Sequence, residues 1–162
     1  MTTIAVTGHM DLTDASVPLV RNALRKTLKA FAASGLTGMS CIAQGADSLF
    51  ADVVLELGGR LIAVVPSRDY RQNKVKPDHA ETFDRLTESA DVVLVLPNDT
   101  ADRSAYEDAN RMLLQRADRL VAVWNGEPPT GKGGGTADTV IEARAAGLPV
   151  DVVWPDGASR QG

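Results

Sequence analysis

Six short apolar runs recur along the chain, and a helical pattern stands between each pair. The runs are Ile4–Val6, Met39–Ala43, Leu61–Val65, Val92–Leu96, Leu120–Trp124 and Pro149–Trp154. They are continuous rather than alternating, as strands are when both faces of a sheet are covered. Between them, Val17, Val20, Leu24, Leu28 and Phe31 fall on one helical stripe, and Leu49, Phe50, Val53, Val54 and Leu57 on a second. Thr82–Ser89 continues the series, followed by the stripe Tyr106, Ala109, Leu113 and Ala117 and by a helix through Val140, Ile141, Ala143 and Ala145. This alternation predicts an α/β fold: a doubly wound, mainly parallel six-stranded sheet with helices on both faces, Rossmann-like. A chain of 162 residues with 44% hydrophobic content fills one core. The expected domain is therefore 1–155, with 156–162 a flexible tail because Asp156–Gly162 carries no large apolar side chain.

In such a sheet ligands sit beyond the carboxyl ends of the strands, near the point where the strand order reverses. The candidate ligand-binding residues all fall there. Gly8 and His9 follow the first strand; Gln44, Gly45, Ala46 and Asp47 follow the second; Pro66, Ser67 and Tyr70 follow the third. Glu107 and Asn110, three apart, share a helix face near the same edge. The last group is Gly133, Gly134, Gly135 and Thr136, within the stretch T-G-K-G-G-G-T-A at Thr130–Ala137. That stretch stands where a strand hands over to a helix N-terminus, with unpaired N–H groups and the positive end of a helix dipole. It reads either as a phosphate cradle or as a flexible surface loop; Thr136, able to cap the helix and offer a hydroxyl, favours the cradle.

Each candidate has a plainer reading beside the functional one. His9 either touches a ligand or satisfies a turn, and Asp47 either meets a ligand or caps the second helix. Glu107 and Asn110 are either site residues or solvated surface. Tyr70 and Trp124 are the aromatics placed to stack a base, and Trp124 is alternatively core. Ser67–His79 carries Arg68, Arg71, Lys74 and Lys76 against Asp69 and Asp78, with no apolar period. It reads as a mobile, locally basic flap or as a plain surface loop.

Several function classes are excluded. Thr7–Asp14 holds one glycine, so the G-x-G-x-x-G dinucleotide fingerprint is absent. Gly126 to Lys132 matches a P-loop up to its last letter, but Gly133 stands where Ser or Thr should hold magnesium, and Pro128-Pro129 stiffen the loop. Two histidines and one cysteine make no zinc site, and no cofactor is implied. A net charge of -4 argues against nucleic acid as the partner. The lone Cys41 in apolar surroundings reads as a buried, reduced thiol. With no leader pattern and no long apolar run, the expectation is a cytoplasmic protein without membrane contact.

Taken together, Thr7-Gly8-His9, Gly45-Ala46-Asp47, Ala117-Asp118 and Gly133–Thr136 resemble the SLOG superfamily. This Rossmann-like group includes the LOG phosphoribohydrolases and the DprA-type DNA-processing domain, and the resemblance runs from Ile4 to Trp154. It implies a nucleotide or nucleotide-derived ligand with phosphate on the glycine loop, and allows a homodimer. LOG enzymes carry P-G-G-x-G-T-x-x-E and an upstream R-K pair, whose Arg and Glu cleave an N-glycosidic bond. Aligned on Gly135-Thr136, the Glu position is Thr139; aligned on Ala117-Asp118, the R-K positions are Ala109 and Asn110. The phosphate half of the motif is kept and the catalytic half is not. The expected function is a ligand-binding or sensor module. The alternative is a nucleotide N-glycosidase with Glu107 or Glu142 as base, so enzyme activity stays open.

Overall fold

The computed structural model describes residues 1–131 and 135–162. Six strands form one sheet: β1 (Thr2–Gly8), β2 (Leu36–Ser40), β3 (Arg60–Val65), β4 (Val92–Val95), β5 (Arg119–Val123) and β6 (Val150–Val152). Their order is β4-β3-β2-β1-β5-β6, and every pairing is parallel. The connecting helices are α1 (Ser16–Ala32), α2 (Ala46–Glu56), the one-turn α3 (Tyr70–Asn73), α4 (Pro77–Ser89), α5 (Arg103–Arg116) and α6 (Thr136–Ala145). The chain steps outward from β1 to β4, then returns to the other flank of β1 for β5 and β6. The strand order therefore reverses between β1 and β5, which opens a crevice beyond their carboxyl ends. The α/β, doubly wound, Rossmann-like architecture is the one expected, with a sheet that is wholly parallel.

The central strand shows why helices cover both faces. Ile4 and Val6 pack with Val20, Leu24 and Leu28 of α1 and with Phe50, Val53 and Val54 of α2. Ala5, pointing the opposite way, packs with Ala109 and Leu113 of α5 and Ala143 of α6. A third cluster joins Leu61 and Ala63 of β3 to Ala51 of α2 and to Phe83 and Leu86 of α4. Each large side chain fully buried this way stabilises the fold by ~1.5–3 kcal/mol before chain entropy is subtracted.

Two local expectations give way. β2 covers Leu36–Ser40 rather than Met39–Ala43. Gly38 belongs inside the strand, since a Cβ there would stand 2.5 Å from Val54 Cγ2 and push α2 off the sheet. The chain then turns out of the sheet, with the Ile42 N–H donating to Ser40 Oγ at 3.1 Å. The N-cap of α1 is Ala15, without a side-chain bond; Thr13 instead meets Ser16 through the two hydroxyls at 2.6 Å.

The basic segment Ser67–His79 is not an irregular flap. It holds α3 and the start of α4, whose first residue Pro77 suits a helix N-terminus. Ser67, Tyr70 and His79 are buried, and the His79 ring bonds the Ile42 carbonyl at 2.9 Å. Arg71 pairs with Asp84 and Arg68 with Asp99, which neutralises half of its four cations. The terminal residues lie along the loop after β1. The Thr13 N–H donates to the Ser159 carbonyl, the Gln161 N–H to the Asp11 carbonyl, and Arg160 pairs with Asp11 at 2.8 Å. Backbone pairing with Leu12, which is buried, replaces the apolar anchor that this segment lacks.

Among the described residues, no helix is long and apolar enough to cross a membrane.

Candidate functional site

A cavity of about 550 Å³ occupies the crevice beyond β1 and β5. Gly8 and His9 form its floor at the end of β1, and their positions follow from close packing. A Cβ on Gly8 would lie 2.4 Å from Ala46 Cβ and 2.8 Å from Val123 Cβ, so only glycine lets α2 and β5 meet there. His9 ties the two strand ends together: its N–H donates to the Val123 carbonyl at 3.2 Å, and its Nε2 accepts from the Asn125 N–H at 3.1 Å. The ring stands edge-on to Trp154 at 5.5 Å. Burial first, and the Arg160 charge second, lower its pKa and keep the imidazole neutral. The turn reading of His9 thus has hydrogen bonds behind it, and the residue also lines the cavity.

The turn after β2 divides its four candidates. Asp47 lines the cavity; Gln44, Gly45 and Ala46 are not among the described residues lining it. Gly45 has φ +83, and a side chain there would meet the His9 and Met10 carbonyls at 2.7 and 2.8 Å. Its N-cap position lets the Ala46 N–H donate to the His9 carbonyl at 3.2 Å. Asp47 has one hydrogen bond to its carboxyl, from the Ala43 N–H at 3.4 Å, and no ion pair among the described residues. Burial pushes its pKa up to about 7. Beside it, burial and the Asp47 charge push up the thiol of Cys41. Burial and the same charge also push up the phenol of Tyr70, so both groups stay neutral. Cys41 is half-buried on the cavity wall rather than sealed in the core.

After β3, Pro66 and Tyr70 line the cavity, whereas Ser67 is fully buried and donates its hydroxyl to Asp69 at 2.6 Å. Lys74 reaches the same cavity. Helix α5 presents Tyr106, Ala109, Asn110 and Leu113 to it, an i, i+3, i+4, i+7 stripe. Glu107 lies one position round and faces a neighbouring groove of about 490 Å³, paired with Arg103 at 3.1 Å. Asn110 borders both spaces, so it shares the groove with Glu107, and of the two only Asn110 is among the described residues lining the cavity. Glu142 shares the groove with Glu107.

On the far wall Gly135 and Thr136 line the cavity, while the calls for Gly133 and Gly134 lie outside the described residues. Gly135 is the N-cap of α6, and Thr136 is the first helical residue rather than the cap. Asp138 does the capping from within the first turn, accepting from the Gly135 N–H at 3.1 Å. Thr139, at the catalytic Glu position of the LOG pattern, is buried and donates back to the Gly135 carbonyl at 3.3 Å. Trp124 falls just past β5 and lines the cavity, with its indole N–H bonded to the Glu127 carbonyl at 3.0 Å.

Among the cavity residues that escaped the sequence reading are Tyr106, Asp11 and Arg160. Tyr106 was assigned to the core stripe, and its position four before Asn110 was the available signal. Asp11 and Arg160 are 149 residues apart, and no pattern in the sequence joins them.

No family model and no curated protein matches the chain. Solved structures do. DNA processing protein A from Streptococcus pneumoniae superposes with a TM-score of 0.67 at 16% identity, over 94% of this chain and 50% of that one. Its counterpart from Helicobacter pylori gives 0.65 at 15% identity, covering 93% and 64%. The molybdenum cofactor carrier protein of Chlamydomonas reinhardtii gives 0.57 at 19% identity, covering 93% and 75%. The chain spans about half the length of the pneumococcal protein. At these identities the likeness speaks to the fold alone: this chain shares a Rossmann-type fold with these proteins.

Proposed function

We propose that the chain binds a nucleotide or nucleotide-derived small molecule in the cavity beyond β1 and β5, as a ligand-binding or sensor module. The phosphate would lie against the Gly133–Thr136 stretch, at the positive end of α6. The observation that carries the reading is the cavity itself: it lies at the reversal of strand order, with the start of α6 on one wall and aromatic side chains on the other. Among the structural neighbours, one is a carrier of the molybdenum cofactor and another is described by its single-stranded DNA binding. The net charge of -4 and the pairing of Arg68 and Arg71 favour the small molecule.

The test is Gly135→Asp. Gly135 has an extended backbone that any residue adopts, and among the described residues a Cβ would meet only Asp138 Oδ2, at 3.6 Å. The variant should fold normally and bind nucleoside monophosphates at least ~10-fold more weakly, because a carboxylate occupies the phosphate position. Unchanged affinity in calorimetric titration would place the ligand elsewhere.

A second reading, N-glycosidase activity, draws on the adjoining groove, where α5 and α6 bring Glu107 and Glu142 together beside Asn110 and Thr139. Chromatography of adenosine monophosphate after long incubation decides it. Free adenine at ~1 s⁻¹ or faster would make the chain an enzyme.

A further inference from the structure

Building on the nucleotide reading above, we propose that Asp47 is the residue that reads the ligand's base. Its carboxyl accepts the two neighbouring N–H donors, N1–H and the 2-amino group, of a guanine ring. The argument starts from what the carboxyl lacks. It sits at the first turn of α2, at the cavity wall, with one long hydrogen bond and no cation paired to it among the described residues. A carboxylate is acceptor-only, so an oxygen left open at the cavity wall takes its donors from whatever enters the cavity. No buried side-chain nitrogen or oxygen among the described residues is without a partner, so the carboxyl oxygen of Asp47 that makes no bond is an accessible acceptor.

The groups around Asp47 fit a flat ring. Tyr70 and Tyr106 stand edge to face at 6.4 Å on the same wall and offer an aromatic border. The Asn110 side chain, from α5, can donate to the ring's carbonyl oxygen. An ionised carboxylate is acceptor-only with two oxygens, so its complement is a pair of adjacent donors. The guanine edge presents such a pair. Adenine presents a donor beside an acceptor, and hypoxanthine a single donor.

The charge states of the neighbours leave Asp47 as the group that responds. Cys41 and Tyr70 are held neutral, and burial also raises Tyr106. His9 is held below its usual value, and Lys74, Asp11, Glu127, Asp138 and Arg160 are the remaining charged residues on the cavity wall. Two N–H donors favour the ionised form, so a ligand bound this way expels a proton from Asp47 near neutral pH.

The experiment is calorimetric titration of guanosine, inosine and adenosine monophosphates, in buffers of differing ionisation enthalpy. It uses the full chain and its Asp47→Asn variant. We expect the wild type to bind the guanosine nucleotide about tenfold or more tightly than the inosine one, with proton release. In Asp47→Asn that ratio should fall below about twofold and the proton release should vanish, with inosine monophosphate still bound. Inosine or adenosine monophosphate bound as tightly as guanosine monophosphate overturns the inference, and so does a guanosine preference that survives in Asp47→Asn. In both cases the nucleotide reading stands. If none of the three binds, the nucleotide reading falls and the role of Asp47 with it. Should Asp47→Asn not fold, the wild-type ratios and proton release decide alone.

Discussion

The turn after β2 and the loop after β5 both use glycine at positive φ, and they use it for different ends. Gly45 has φ +83 and Gly126 φ +85, so an added methyl group suffers the same backbone strain at each. Around Gly45 the His9 and Met10 carbonyls stand within 2.8 Å of where a Cβ would be; around Gly126 nothing lies within 4 Å. One turn is packed shut against β1 and holds the cavity floor. The other is open and borders the cavity mouth. A glycine in a binding region therefore says nothing about ligand by itself; its neighbours decide whether it serves packing or access.

The largest predicted effect separates the two turns directly. Gly45→Ala should destabilise by roughly 3 kcal/mol or more, since strain and overlap with two carbonyls add, whereas Gly126→Ala should cost about 1 kcal/mol from strain alone. Urea unfolding of both variants checks this, and equal midpoints would show that the β2 turn relaxes freely.

Next in size is the carboxyl held in the closed turn. The folded pKa of Asp47, about 7, lies above its unfolded value of ~3.9. Between those values the folded state binds more protons, so wild-type stability falls as pH rises from about 4 to about 7. Asp47→Asn removes that loss. The variant should gain on the wild type by on the order of 2 kcal/mol between pH 4.5 and pH 8, half of the full linkage because the group borders water. A difference between the two proteins that stays constant across this range would mean that the cavity hydrates the charge.

The open loop yields the smallest effects on stability. Gly135→Asp should shift the melting temperature by less than about 2 °C while weakening nucleotide binding, the reverse of Gly45→Ala. Glu107→Gln should change neither, since Glu107 meets only Arg103 on an exposed face. A loss of ligand affinity in Glu107→Gln would move the site into the neighbouring groove.

The sheet was legible because continuous apolar runs such as Leu61–Val65 and Leu120–Val123 admit little besides buried parallel strands. Strand limits were less so: Gly38, outside the expected run Met39–Ala43, proves to be a contact point for Val54 and Phe50 inside β2. In the candidate site, residues that directly follow a strand, such as Gly8, His9 and Pro66, could be placed from topology alone. Asp47 was read as either a ligand contact or a helix cap because its position in the first turn is visible in sequence, while the lack of an ion pair to it depends on which side chains surround it. Helix face mattered too. Periodicity puts Glu107 near Asn110, yet the packing of Ala109 and Leu113 against β1 turns Tyr106 and Asn110 toward the cavity and Glu107 past it. The Ser67–His79 segment was misread because its anchors, Tyr70 and His79, are single residues without period.

The return of the last residues along the loop after β1 has a practical consequence. Arg160 reaches the cavity wall, while Thr2 pairs beside Gly35 and Leu36 at the opposite end of the strands. A fusion partner, affinity handle or surface tether attached behind Gly162 emerges beside the cavity mouth and obstructs it. The same attachment before Met1 emerges at the far pole of the molecule, which makes the amino end the one by which to hold this protein when its ligand is sought.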